Sequence, residues 1–181
     1  AAEKAGFSPL KVNAVVMRGM NDDEVGALAR WARHHGRLMR FIEFMPLEGD
    51  RNWTRERVVP ACEILERVRA NFPFRPMPGA ARTTAELYEY EDGGGAFGVI
   101  ASVTQPFCED CDRIRITADG GLRTCLFPQS ALDLRGPMRA GAADAELAAL
   151  LGGAVRGKGP GHLIDLPGFR RPDRAMNAIG G

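Results

Sequence analysis

The chain has 181 residues, of which 45% are hydrophobic, 26% charged and 7% aromatic, with a formal net charge of +1. This is enough apolar material for a real core in one or two domains. A charge so near zero excludes a global field for nucleic acid or an acidic membrane, so any anion binding must come from locally placed Arg and Lys. No apolar run approaches the roughly 20 residues of a membrane span, and Ala1–Phe7 has no apolar signal region. The chain starts without Met, as if in the last turn of a helix closed by Gly6, which predicts a piece of a longer protein.

Residues 11–17 are short, β-branched and bounded by Gly19, which predicts a buried strand. Asn21-Asp22-Asp23-Glu24 resembles a capping box, and Val25, Leu28, Ala29 and Ala32 follow at helical spacing up to Gly36. Residues 38–44 form a second apolar strand, stopped by Pro46. Strand, helix and strand with short links predict a βαβ unit with parallel strands. After a polar stretch, Pro60 starts a helix with Ile64, Leu65 and Val68 on one face, ending near Phe72-Pro73. Cys62 in that helix reads as a small, half-buried hydrophobe.

Residues 73–81 are rich in Pro and Ala and suggest a boundary. Strands are expected at about 86–91 and 97–103, either side of Gly93-Gly94-Gly95, and a hairpin at about 112–126 around Asp119-Gly120-Gly121. A helix at about 144–156 carries Leu147, Leu150, Leu151 and Val155, and residues 157–181 lack periodicity. The expected fold class is α/β. Residues 1–72 read as the end of an α/β barrel or sheet, and residues 73–181 as a small α+β layer around the cysteines.

Cys108, Cys111 and Cys125 are spaced C-x2-C-x13-C. Thiolates are preferred ligands of zinc and of iron–sulfur clusters, and three of them leave one coordination position open. With Asp119-Gly120-Gly121 as a three-residue loop, Ala118 pairs with Leu122 and Arg115 with Cys125. Alternation then puts Arg113 and Arg115 beside the sulfurs and turns Ile114 and Ile116 to the core. Guanidinium forks there suit a phosphate- or carbonyl-bearing substrate, whereas a plain Arg-x-Arg strand is a solvated face. Structural zinc needs a fourth ligand, for which His162 in Lys158-Gly159-Pro160-Gly161-His162 is the candidate. Spacing leaves zinc and a [4Fe–4S] cluster both open, and the absence of an export signal disfavours a disulfide.

The run Pro106-Phe107-Cys108 through Cys125-Leu126-Phe127 closely resembles the carboxy-terminal cluster motif of the GTP 3′,8-cyclase family, also called the molybdenum cofactor biosynthesis protein A family. Lys11 to Asp22, Arg40 to Pro46 and Met176 to Gly181 resemble further family segments in the same order. The resemblance covers essentially the whole chain. It implies a radical S-adenosylmethionine (SAM) enzyme with an incomplete triosephosphate-isomerase-type barrel. In that family one [4Fe–4S] cluster cleaves SAM to a radical that takes hydrogen from C3′ of GTP. A second cluster holds the guanine base, and the product leads to cyclic pyranopterin monophosphate.

Carried to this sequence, the resemblance makes Cys108, Cys111 and Cys125 the ligands of the second cluster. It makes Lys11, Arg40, Arg113, Ile114 and Arg115 contacts of GTP, Met45 a contact of SAM, and Gly180 and Gly181 a tail that enters the active site. It implies a cytoplasmic homodimer linked by pathway to cyclic pyranopterin monophosphate synthase, with neither nucleic acid nor membrane as partner. The sequence departs from the family in having no C-x3-C-x2-C, so these 181 residues alone are not expected to cyclise GTP. The alternative is a zinc-stabilised binding module without catalysis.

Overall fold

The structure is a computed structural model, described here for residues 1–49, 52–77, 84–109, 111–127, 130–159, 161–172 and 174–179. Internal contacts divide the chain into two units, one of residues 1–45 and 53–107 and one of residues 46–52 and 108–181.

In the first unit, β1 (Lys11–Val16), α1 (Val25–His34) and β2 (Leu38–Glu43) form the expected βαβ element. The two strands are parallel, with Lys11 opposite Leu38 and Val16 opposite Glu43. Pro60 is the N-cap of α2 (Ala61–Arg69). β3 (Phe74–Pro76), β4 (Glu86–Tyr90) and β5 (Ala96–Ile100) complete a five-stranded sheet of order β1-β2-β5-β4-β3. β5 runs parallel to β2, while β4 and β3 are antiparallel additions, so the sheet is mixed. The change of character near residue 73 therefore falls inside one sheet.

Alternation decides the faces. Met39, Phe41 and Glu43 of β2 are buried, and Leu38, Arg40 and Ile42 point the other way and are half-buried. Val25, Ala29 and Ala32 of α1 and Ile64 and Val68 of α2 join the same core as Met39 and Phe41. Phe97 of β5 sits at its centre, with ring centroids of Phe74, Tyr88, Tyr90 and Phe41 at 4.9, 5.2, 5.4 and 6.5 Å. Burial pushes the Tyr88 and Tyr90 hydroxyls up to about 12.

Two local expectations are corrected. The capping box at α1 does not form: Asp22–Glu24 make a 3-10 turn with no side-chain cap. The side chains turn back instead, Asn21 Oδ1 accepting from the Met17 amide at 2.8 Å and Asp22 Oδ1 from the Gly19 amide at 2.7 Å. These short polar side chains satisfy the β1–α1 loop rather than the helix. Cys62 is exposed rather than half-buried, because α2 turns Ala61, Ile64 and Val68 to the sheet and leaves Cys62 on the solvent side.

In the second unit, β6 (Arg115–Ile116), β7 (Gly121–Arg123) and β8 (Leu132–Asp133) form an antiparallel sheet in that order. α3 (Arg135–Arg139) and α4 (Asp144–Arg156) follow. Glu146 Oε2 accepts from the Ala143 amide at 2.8 Å at the start of α4. The Met176 amide donates to the Leu47 carbonyl at 2.9 Å, which ties the tail to residues 46–52. No helix among the described residues is long and apolar enough to cross a membrane.

Candidate cysteine and arginine site

The site is built on the β6–β7 hairpin and the turn that precedes it. The Cys111 amide donates to the Cys108 carbonyl at 3.3 Å, which holds these two cysteines close together. The hairpin loop is Ala118-Asp119-Gly120, closed by the Thr117 amide on the Gly121 carbonyl at 2.8 Å. Gly120 takes φ +83°, a conformation that suits glycine. The loop lies one residue earlier than the expected one, so Arg115 pairs with Arg123 and Ile116 with Leu122. The Thr117 hydroxyl explains the shift, since its Oγ accepts from the Gly121 amide at 2.9 Å and also bonds Asp119 Oδ1.

A two-residue register change preserves parity, so the paired Arg115 and Arg123 share a face, and Arg113 and Cys125 lie two residues beyond them, outside the paired strands. What changes is which face is covered. Cys111, Arg113 and Arg115 are half-buried and Thr117 is buried, while Asp112, Ile114 and Ile116 are exposed. The expectation that Ile114 and Ile116 face the core is therefore corrected: they are 43% and 61% exposed. β6 is an edge strand, and its apolar residues lie outside the cover that buries Leu122 on the central strand. On the central strand both faces are covered, Leu122 at 2% and Arg123 at 3% exposed, and Arg123 shares its face with the half-buried Arg115. A buried arginine beside two half-buried ones is the informative departure from ordinary strand patterning.

Cys111 is the electrostatic centre. Burial alone would raise its pKa, but hydrogen bonds from the Arg113 backbone, the Arg113 guanidinium and the Lys158 ammonium outweigh that, and the thiol is held below its usual value. Arg113 Nε donates to Cys111 Sγ at 3.3 Å and Lys158 Nζ lies 3.4 Å from the same sulfur. Arg115 has its pKa lowered by burial first and by Arg113 second, while Cys111 and Cys125 act in the opposite direction. Both guanidiniums thus belong to the neighbourhood of the sulfurs. Gly161, at φ +115°, lies so close to Cys108 that a Cβ there would stand 2.5 Å from its Sγ.

A soft metal group fits the donor chemistry: free Cys108, Cys111 and Cys125, one with a lowered thiol pKa, and N–H donors on that sulfur. The arrangement is less complete than the chemistry. Among the described residues no group of three His, Cys, Asp or Glu side chains stands ready to hold one metal ion. His162 Nδ1 accepts from the Ile164 amide at 3.1 Å and its ring packs against Phe127 at 5.0 Å.

The remaining candidates lie in the first unit or outside the described residues. Lys11 is the exposed first residue of β1. Arg40 is in the middle of β2 rather than at its end, level with Asn13, whose Oδ1 accepts from Arg40 Nε at 2.8 Å. Lys11, Asn13 and Arg40 share the sheet face opposite α1 and α2. Met45 is half-buried just past β2. Gly180 and Gly181 lie outside the described residues, as does Asp110.

Sequence reasoning missed three residues. Arg123 was findable, since it lies two residues before Cys125 and so on the same strand face. Lys158 carries no periodic signal towards Cys111. Glu43 reads as the single acid in an apolar strand, yet its carboxyl group accepts from the amides of Ala61, Val103 and Thr104 at 2.8, 2.7 and 2.8 Å and from the Thr104 hydroxyl. It joins the end of β2 to the start of α2 and to the turn after β5.

The fold and site together define a mixed α/β protein that gathers half-buried free thiols and guanidiniums around a short hairpin. The chain belongs to the Molybdenum Cofactor Synthesis C family, which it matches over residues 38–164. It is 46% identical over 183 residues to a Streptomyces coelicolor protein named GTP 3′,8-cyclase, covering all of this chain and 54% of that protein. Proteins of the same name from Corynebacterium glutamicum and Rhodopirellula baltica are 47% and 42% identical, again over all of this chain, which covers 50% and 52% of their lengths. The chain spans about half the length of these curated relatives.

Proposed function

We propose that the chain is the carboxy-terminal part of a GTP 3′,8-cyclase, the substrate-holding half of a radical SAM lyase in molybdenum cofactor biosynthesis. The observation that carries this reading is the segment 111–117, which runs through β6 and half-buries Cys111, Arg113 and Arg115 while exposing Ile114 and Ile116. Such a segment suits a thiolate-bound group next to an anionic nucleotide.

In this reading Cys108, Cys111 and Cys125 hold a [4Fe–4S] cluster, which supplies an open iron as a Lewis-acidic anchor for the purine. Binding requires Cys125 to join the Cys108–Cys111 turn. Arg113 and Arg115 orient GTP by guanidinium forks and offset its charge, with Ile114 adding backbone contact. Lys11 and Arg40 attract phosphate from the open face of the first unit's sheet, and Met45 contacts SAM. Gly180 and Gly181 reach the reacting centre. β1, α1, β2 and α2, within residues 1–72, end a partial (β/α) barrel begun elsewhere in the protein, and residues 73–181 carry the cluster and GTP contacts. The protein is a cytoplasmic homodimer whose product passes towards cyclic pyranopterin monophosphate synthase. The radical-generating cysteines lie outside these 181 residues, so this part alone leaves GTP unchanged.

Anaerobic reconstitution of the full-length protein with iron and sulfide tests the reading. A second [4Fe–4S] cluster is expected, lost in Cys125→Ala while the other cluster remains, with the second cluster's electron paramagnetic resonance (EPR) spectrum altered by GTP. One tightly held zinc with no second cluster, released when His162 is replaced, would overturn it in favour of the zinc module.

A further inference from the structure

The segment that follows α4 lies against both ends of the C-x2-C turn. Lys158 is set just past the helix by its backbone amide, which donates a hydrogen bond to the Val155 carbonyl at 3.2 Å. Its ammonium is half-buried and donates to the Cys111 carbonyl and, at 3.0 Å, to the Arg113 carbonyl, with Cys111 Sγ at 3.4 Å. An ammonium has three N–H donors and no acceptor, so these three acceptors use its full capacity. At the other end, Gly161 presses its backbone on Cys108, leaving no room for a side chain. The segment thus meets Cys108 with a bare α-carbon and Cys111 with a positive charge.

We propose that Lys158 and Gly161 together clasp Cys111 and Cys108, with Lys158 as a positioning residue for Cys111. It fixes the backbone from Cys111 to Arg113 and presents one N–H to the ligand sulfur. The same contact sets the direction of the first guanidinium, because Arg113 is held through its carbonyl. The inference rests on the reading of the cysteines as cluster ligands. Hydrogen bonds to a ligand sulfur draw charge from it and raise the reduction potential of a bound cluster, and outer partners of metal ligands commonly matter to affinity.

The test uses the full-length protein with both clusters reconstituted, in wild type, Lys158→Met, Lys158→Arg and Gly161→Ala forms. Lys158→Met is expected to move the midpoint potential of the carboxy-terminal cluster to more negative values and to speed its loss to a chelator by about tenfold. Lys158→Arg, which keeps charge and donors, is expected to restore much of both. Gly161→Ala is expected to speed cluster loss through displacement of Cys108, without the potential shift caused by losing the ammonium. Hydrogen exchange of the cluster-free protein, in which amides at 111–115 exchange faster in Lys158→Met, supports the clasp independently of cluster content. If wild type holds a second cluster and Lys158→Met matches it in potential, chelator resistance and exchange, the clasp is refuted and the cluster reading stands. If wild type forms no second cluster at all, the cluster reading itself fails, whatever Lys158 does to exchange.

Discussion

Single side chains hold this chain together where backbone ladders end. Glu43 is 0% exposed and its two oxygens serve three backbone amides and one hydroxyl, so it joins three segments at once. Glu43→Ala strands those donors in a buried place, where each unsatisfied group costs roughly 1–3 kcal/mol. A loss of about 3 kcal/mol or more is expected in urea unfolding of the full-length protein, with Glu43→Gln milder because one amide oxygen still accepts. Glu63 acts by charge. The Arg18 hydrogen bond first and the Arg67 bond second hold its carboxyl down at about 2, from 4.5. A carboxyl with a depressed folded pKa stabilises fully above its unfolded value, and that stabilisation fades as pH falls from about 4.5 towards 2. Glu63→Gln is therefore expected to flatten the pH dependence of stability across that window, measured by thermal melts, and to leave its shape near neutrality unchanged.

At the level of elements, the hairpin shows how one hydroxyl sets a register. Thr117 Oγ accepting from the Gly121 amide fixes a loop at 118–120, and the Gly residues make the tight approach possible. A Cβ on Gly120 would lie 2.6 Å from Arg135 Cβ, at a φ that side chains rarely adopt. Gly120→Ala is expected to cost about 1 kcal/mol or more and to loosen β6–β7 pairing, seen as faster exchange of the Thr117 and Gly121 amides. The sequence announced this hairpin through Asp119-Gly120-Gly121, and β1-α1-β2 through period and punctuation, because those signals are local. It misplaced the loop by one residue because Gly120 and Gly121 are equally permissive by type. It also could not tell that β3, β4 and β5 extend the sheet of β1 and β2, since pairing over such separations leaves no local mark.

For the whole molecule, the first unit has β1 at the edge of its sheet, with Val15 43% exposed on the face opposite the helices. Asn21 Nδ2 donates to the Val15 carbonyl at 2.9 Å, but an edge strand with an exposed apolar residue still invites pairing with another chain. The 181 residues produced alone are expected to self-associate, and Val15→Lys to shift sedimentation velocity profiles towards monomer. Persistent association in the Val15→Lys chain would place the contact elsewhere. The full-length protein is the proper setting for the cluster and GTP experiments, since this chain spans about half the length of its relatives.

By itself the sequence determined the family, the C-x2-C-x13-C spacing and the rule that Arg113, Arg115 and Cys125 lie on one strand face. These follow from residue identity and from the period of two in a β-strand. Tertiary structure alone decided that Cys111, Arg113 and Arg115 are half-buried and that the edge isoleucines Ile114 and Ile116 are outside. Alternation says which residues travel together, but burial depends on what packs above them. It also brought Lys158 to Cys111 across 47 residues and gave the Glu43 carboxyl its four donors, from Ala61, Val103 and Thr104. Such contacts are made by folding in space, and no periodicity along the chain records them.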